Sequence, residues 1–218
     1  MSMPAHTVAV LTGDLIGSTA SGETATDEAM ASLHKTTVEI AKWRGVSPPL
    51  RFFDRYRGDG WQILLTHPAY ALRATLVLAA TLASTAELPR TRIGIGIGPA
   101  DIPDNKDFAA STGAAFIASG HALDTLPRAR VFAIEGEHVT SLHRAILALA
   151  EELSGRWTPE QAEATALYLS PRQPTLAAIA ERLGISTQAV SYRIRGAGAR
   201  ALRDAATWWE QDAEDRAP

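Results

Sequence analysis

Two spacings of apolar positions, one near 2 and one near 3.6, divide this chain into its elements. Residues 7–11 are a short apolar run, which predicts a strand. A small polar run at 18–22 precedes a predicted helix over 23–42. Residues 50–55 and 61–65 are predicted strands, joined by a tight turn at Arg57-Gly58-Asp59-Gly60. An apolar helix follows over 68–84. A strand over 91–97 carries Gly94 and Gly96 on one face, continued by Gly98, a pattern that lets a helix pack closely. A helix over 113–123, a strand over 130–134 and a helix over 139–153 complete this part. The order strand, helix, strand, strand, helix, strand predicts a ferredoxin-like α+β domain over residues 1–150. Its helices are expected on one face of an antiparallel sheet.

The pattern changes after residue 150. Leu176, Ile179, Ala180 and Leu183 make one apolar helical stripe. Gly184 then ends the helix as a left-handed cap, and Ser186 caps a second helix. Ala189, Val190 and Ile194 continue the buried face, and the small Ala180 and Ala189 let the two helices cross closely. Thr187, Gln188, Ser191, Tyr192 and Arg195 are left facing outward. With Ser186 at the helix start, they are the candidate DNA contacts, because such side chains suit base edges and phosphates. An all-α helix-turn-helix domain over 151–218, with double-stranded DNA as partner, is therefore expected. An ordinary helical hairpin is the plainer alternative. The stretch resembles the helix-turn-helix of sigma-factor region 4 and related bacterial regulators. Thr158-Pro159-Glu160-Gln161 resembles the capped start of their first helix.

Charge supports this partner. The 218-residue chain has a formal net charge of −3, yet residues 156–206 hold seven arginines against four acids, about +3. That excess is modest, so a homodimer is expected to bind DNA better than a monomer. There is no cysteine, which excludes disulfides, cysteine zinc sites and thiol chemistry and suits a cytoplasmic protein. The longest apolar run, 74–83, is too short for a bilayer, and no signal peptide is read at the start. No membrane partner is expected. His138 and His143 are five apart, the wrong spacing for one helical face, so no zinc site is expected. Trp208-Trp209 is expected to pack between domains or subunits, and the polar tail 211–218 to be disordered.

Two aspartates stand out. Asp14 follows the first strand, and Asp59 lies in the turn between the second and third. In a ferredoxin-like sheet the first strand is central and lies beside the third, so the two carboxylates converge at one edge. Converging carboxylates suit Mg or Mn. Asp59 in Gly-Asp-Gly is also an ordinary turn residue, and Asp14 an ordinary loop cap. The backbone N–H groups of Ile16, Gly17, Ser18 and Thr19 would cradle phosphates that the metal bridges.

These motifs resemble the class III nucleotide cyclase catalytic domain. Gly13-Asp14-Leu15-Ile16-Gly17-Ser18-Thr19 resembles its first metal motif, and Arg57-Gly58-Asp59-Gly60 its second. Arg92-Ile93-Gly94-Ile95-Gly96-Ile97-Gly98 resembles its glycine strand. By that resemblance Asp14, Asp59 and the Leu15 carbonyl hold metal, and Arg55 stands for the base-selecting lysine. The cyclase's ribose-orienting Asn and transition-state Arg fall on Ile117 and His121 in the preferred alignment. A second alignment puts Asp124 and Arg128 there, with Pro127 inside the helix. Losing such donors costs on the order of 10²–10³ in rate each, so a sensor of a metal-nucleotide or other phosphorylated ligand is expected. Arg55, Ile117 and His121 would line its pocket. The combination with a helix-turn-helix resembles the SatD-like bacterial family and implies a ligand-tuned transcriptional regulator. The alternatives are an active cyclase or nucleotidyltransferase with a helical targeting module, or an adaptor that binds polymerase.

Overall fold

The computed structural model describes residues 6–43, 53–56, 58–101 and 111–215. Five strands form one sheet: β1 (His6–Leu15), β2 (Phe53–Tyr56), β3 (Gly60–Leu65), β4 (Thr91–Ala100) and β5 (Phe132–Gly136), in the order β2-β3-β1-β4-β5. β1 is central and antiparallel to β3 and β4, whereas β5 runs parallel to β4. Among the described residues eight α-helices accompany the sheet: α1 (Ser18–Ile40), α2 (Ala71–Ala83), α3 (Ala114–Asp124), α4 (Ser141–Ser154), α5 (Pro159–Tyr168), α6 (Leu176–Leu183), α7 (Thr187–Gly196) and α8 (Ala199–Asp215). The protein is thus α+β with a mixed sheet. The first three residues of the strand expected over 50–55, and Arg57 of the turn, lie outside the described residues.

The alternation in β1 sorts its side chains between two layers. Ala9, Leu11 and Leu15 join the larger core with α1 and α2, while Val8 and Val10 pack with Ala115 of α3. Helices therefore cover both faces of the five-stranded mixed sheet: α1 and α2 lie on one face, and α3, which follows the strand-helix-strand-strand-helix-strand order, lies on the other. The cause is the glycine stripe of β4. A Cβ on Gly94 would fall 2.6 Å from the Leu123 backbone nitrogen, and one on Gly96 would collide with the Ala115 carbonyl. α3 lies directly on this bare backbone and carries the chain across to β5, and a crossover of this kind makes the two strands parallel. Thr12 Oγ1 and Ser119 Oγ, 2.7 Å apart, tie the helix to β1.

α1 starts at Ser18, but Gly22 at φ 84 breaks it after one turn, so the long regular helix begins at Glu23 as its polarity suggests. A 3-10 turn, Pro68–Tyr70, leads into α2. α2 is buried almost all round, because the sheet lies on one side and α4, α5 and α8 on the other. One continuous cluster of buried residues runs from the sheet through α2 into Ala162, Leu169, Ile179, Ile194 and Trp209. The tail expected to be disordered is helical through Asp215. Trp209 is buried with its ring 4.4 Å from His143, and Asp212 Oδ2 lies 3.8 Å from His143 Nε2. Trp208, by contrast, is exposed.

Candidate functional site

Strand register assembles the aspartate end of the sheet. Asp14 is inside β1 rather than after it, opposite Arg92 of β4 and Gly60 of β3. The hairpin turn therefore delivers Asp59 beside it, and Leu15 N–H donates to the Asp59 carbonyl at 3.1 Å. Arg92 Nε donates to Asp14 Oδ1 at 2.8 Å, and a second guanidinium nitrogen donates to Oδ2, so the pair is bidentate. The hydrogen bonding to Asp14 holds the Arg92 guanidinium above its ordinary range. Partial burial opposes this, and the charges of Asp14, Asp124 and Asp59 add to it. Ser18 Oγ donates to Asp59 Oδ2 at 2.6 Å, which ties the start of α1 to the hairpin. Among the described residues no three His, Cys, Asp or Glu side chains form a group able to hold a metal ion.

The loop after β1 keeps part of its expected donor set. Ile16 N–H is taken by the Arg90 carbonyl at 2.8 Å, and the Ser18 hydroxyl by Asp59. Gly17 sits at φ 71 in the left-handed region, and its carbonyl accepts from Ala20 and Ser21. The amides of Gly17, Ser18 and Thr19 make no hydrogen bond among the described residues.

The three residues expected to line a pocket are not brought together. Arg55 is on the α1 side of the sheet, with Nη1 2.7 Å from Asp27 Oδ1 and Nε donating to the Gly58 carbonyl. Ile117 and His121 lie on α3, across the sheet. Ile117 is exposed, and His121 Nδ1 meets Glu135 Oε2 at 2.7 Å. Asp124 is the last residue of α3, so Arg128 of the second alignment stands beyond the helix. The residue that sequence reasoning missed is Arg92. Its signal was a cation heading the apolar β4, which the antiparallel register puts across from Asp14.

The helix-turn-helix takes the expected form at its caps. Thr158 Oγ1 accepts from Gln161 N–H at 3.3 Å, with Pro159 in the first turn of α5. Thr175 Oγ1 accepts from Ala178 N–H, Gly184 closes α6 at φ 64, ψ 32, and Ser186 Oγ accepts from Ala189 N–H at 3.1 Å. Ile179, Val190 and Ile194 are buried between the helices. Ser186, Thr187, Gln188, Tyr192 and Arg195 are exposed and Ser191 is half-buried. Gln188 Nε2 lies 3.3 Å from Tyr192 Oη, and the Arg195 guanidinium stands 4.9 Å from the Tyr192 ring centre. Three of these side chains thus form one ridge along α7. Arg193 instead pairs with Glu163 of α5 at 2.9 Å and braces the helix.

A buried ion pair links this helical part to the sheet side. Arg73 of α2 pairs with both carboxylate oxygens of Glu210 on α8 and donates to the Leu169 carbonyl at 3.0 Å. No protein-family model matches the chain, and no curated protein is significantly similar to it.

Proposed function

We propose that this chain is a DNA-binding transcriptional regulator. Its α+β part would bind a metal-nucleotide or related phosphorylated ligand, and it would act as a homodimer. The observation that carries the reading is the pair of capped helices that presents Gln188, Tyr192 and Arg195 as one exposed ridge. Polar and basic side chains on an exposed second helix are what a major groove accepts. The ferredoxin-like reading draws support from β1 being central beside β3. DNA as partner puts the protein in the cytoplasm. Among the described residues no helix is long and apolar enough to cross a membrane.

Asp14, Asp59 and the Leu15 carbonyl are hard oxygen donors of the kind that Mg2+ or Mn2+ takes. Arg92 is the counter-ion of Asp14, so a cation bound there must displace it. The amides of Gly17, Ser18 and Thr19 would hold phosphate oxygens. Neither Ile117 nor His121 is the carboxamide or guanidinium that the cyclase resemblance calls for, so the ligand would be bound rather than cyclised. The signal would travel through α4, which follows β5, and through the Arg73–Glu210 pair.

Fluorescence anisotropy with genomic fragments at low salt tests the DNA reading. Arg195→Ala should weaken binding to all sequences and lower the salt slope by about one. Gln188→Ala should relax sequence preference at a cost of about 1–3 kcal/mol. No binding to any fragment removes the reading and favours the polymerase adaptor. Formation of cyclic product from ATP or GTP, lost in Asp59→Asn, would replace the sensor with an enzyme.

A further inference from the structure

A cleft of about 360 Å3 opens between the start of α2, the end of α8 and the segment that joins α5 to α6. The buried Arg73–Glu210 pair forms part of its lining. Thr207, Glu210, Gln211 and Glu214 line it from α8, and their spacing of three, one and three places them on one helical face. Thr207 and Glu210 are engaged by Arg73. The joining segment contributes Pro171, Arg172 and Gln173. Gln173 stands at φ 49, in the left-handed region that a non-glycine residue rarely adopts, with its N–H bonded to the Ser170 carbonyl at 2.9 Å. Backbone strain of this kind concentrates where a segment must keep one shape against a ligand.

Two opposite charges line this cleft without pairing. Among the described residues the side chains of Arg172 and Glu214 make no hydrogen bond and no ion pair, and neither do the amides of Gln173 and Gln211. Arg172 feels Glu39 of α1 at longer range, but that carboxylate is bonded to Lys42 at 2.6 Å. Glu214 follows Glu210 by one turn of α8, and Arg73 neutralises the earlier acid. One cation and one anion are thus left over beside a neutral pair. A bound anion would answer Arg172 and repel Glu214, and a bound cation would do the reverse. A molecule that carries both charges answers both.

We propose that the cleft binds a small zwitterion, a free α-amino acid. Its carboxylate would accept from Arg172 and the Gln173 amide, and its ammonium would donate to Glu214 and the Gln211 carbonyl oxygen. Tyr70 and Pro171 supply apolar surface for its side chain. The volume is that of a small-molecule site. A ligand held there would tie the segment ahead of α6 to α8. Only the purpose of that tie, a signal to the α6–α7 helix pair, rests on the regulator reading.

The test is thermal melting of the full-length protein with each of the twenty amino acids at about 10 mM, followed by titration calorimetry. At least one should raise Tm by about 3 °C or more. The amide of that amino acid lacks the carboxylate and its N-acetyl form lacks the ammonium, so each should bind about 10-fold more weakly or worse. Arg172→Ala and Glu214→Ala, both at exposed positions and checked for native circular dichroism, should each weaken binding by a similar factor. No shift with any of the twenty overturns the proposal. So does an amino acid of which either derivative binds as well as the parent, or one whose affinity either variant leaves unchanged. No DNA, metal or phosphate enters these measurements. A failure here therefore leaves the regulator reading standing, and a protein that binds an amino acid but no DNA removes only the regulator.

Discussion

Arg73 is a cation in the first turn of a largely apolar helix, with 3% of its side chain exposed. Its guanidinium is satisfied by Glu210, the Leu169 carbonyl and Thr207. Removing one partner of a buried pair leaves the other charge uncompensated. Arg73→Met should therefore cost about 3–5 kcal/mol in urea unfolding, and Arg73→Met with Glu210→Met should recover most of that loss. A single-variant loss below about 1 kcal/mol would contradict a structural role for the pair. Arg92 calls for a different measurement. It neutralises Asp14, so a divalent cation held there as proposed would compete with it. On that proposal millimolar Mn2+ should raise the Tm, Arg92→Ala should enlarge the rise, and Asp14→Asn should remove it. Equal shifts in all three proteins would mean that the cation binds elsewhere. Asp14 and Asp59 were legible as residues because each sits in a short motif beside a predicted strand. Their partners, Arg92 and Ser18, were not, because strand register and the return of the chain at Ser18 set them.

At the scale of elements, local signals carried furthest where the backbone itself dictates the outcome. The turn between α6 and α7 needs a left-handed residue and a side-chain cap, and Gly184 and Ser186 supply both within three positions. Gly184→Val should cost about 1–2 kcal/mol and Ser186→Ala about 1 kcal/mol, read as a loss of thermal stability. The glycines of β4 were legible as a site of close helix packing. Which helix would use them was not, since α3 reaches them only after the chain has passed residues 101–113. Gly96→Ala should lift α3 off the sheet and cost about 1–3 kcal/mol, with the Thr12–Ser119 bond broken. An unchanged melting temperature would mean that α3 does not rest on β4. The C-terminal end of α8 was misread for a related reason: polar composition hid the single face on which Trp209 is buried.

Across the whole molecule, the buried cluster continues from the sheet through α2 to the helical part. A shared core of this kind unfolds as a unit. Calorimetry should show one transition with equal calorimetric and van't Hoff enthalpies. Two resolved transitions, with Arg73→Met moving neither, would mean that the two parts fold separately. Helical spacing, the caps, the hairpin turn and the glycine stripe are local, repeating within a few residues, and for that reason the order of strands and helices and the outward ridge of α7 could be read from the chain. The mixed sheet, the helix on its second face and the Arg92–Asp14 and Arg73–Glu210 pairs join residues tens of positions apart. No local period records such contacts, because packing and register select them only when the whole chain has closed.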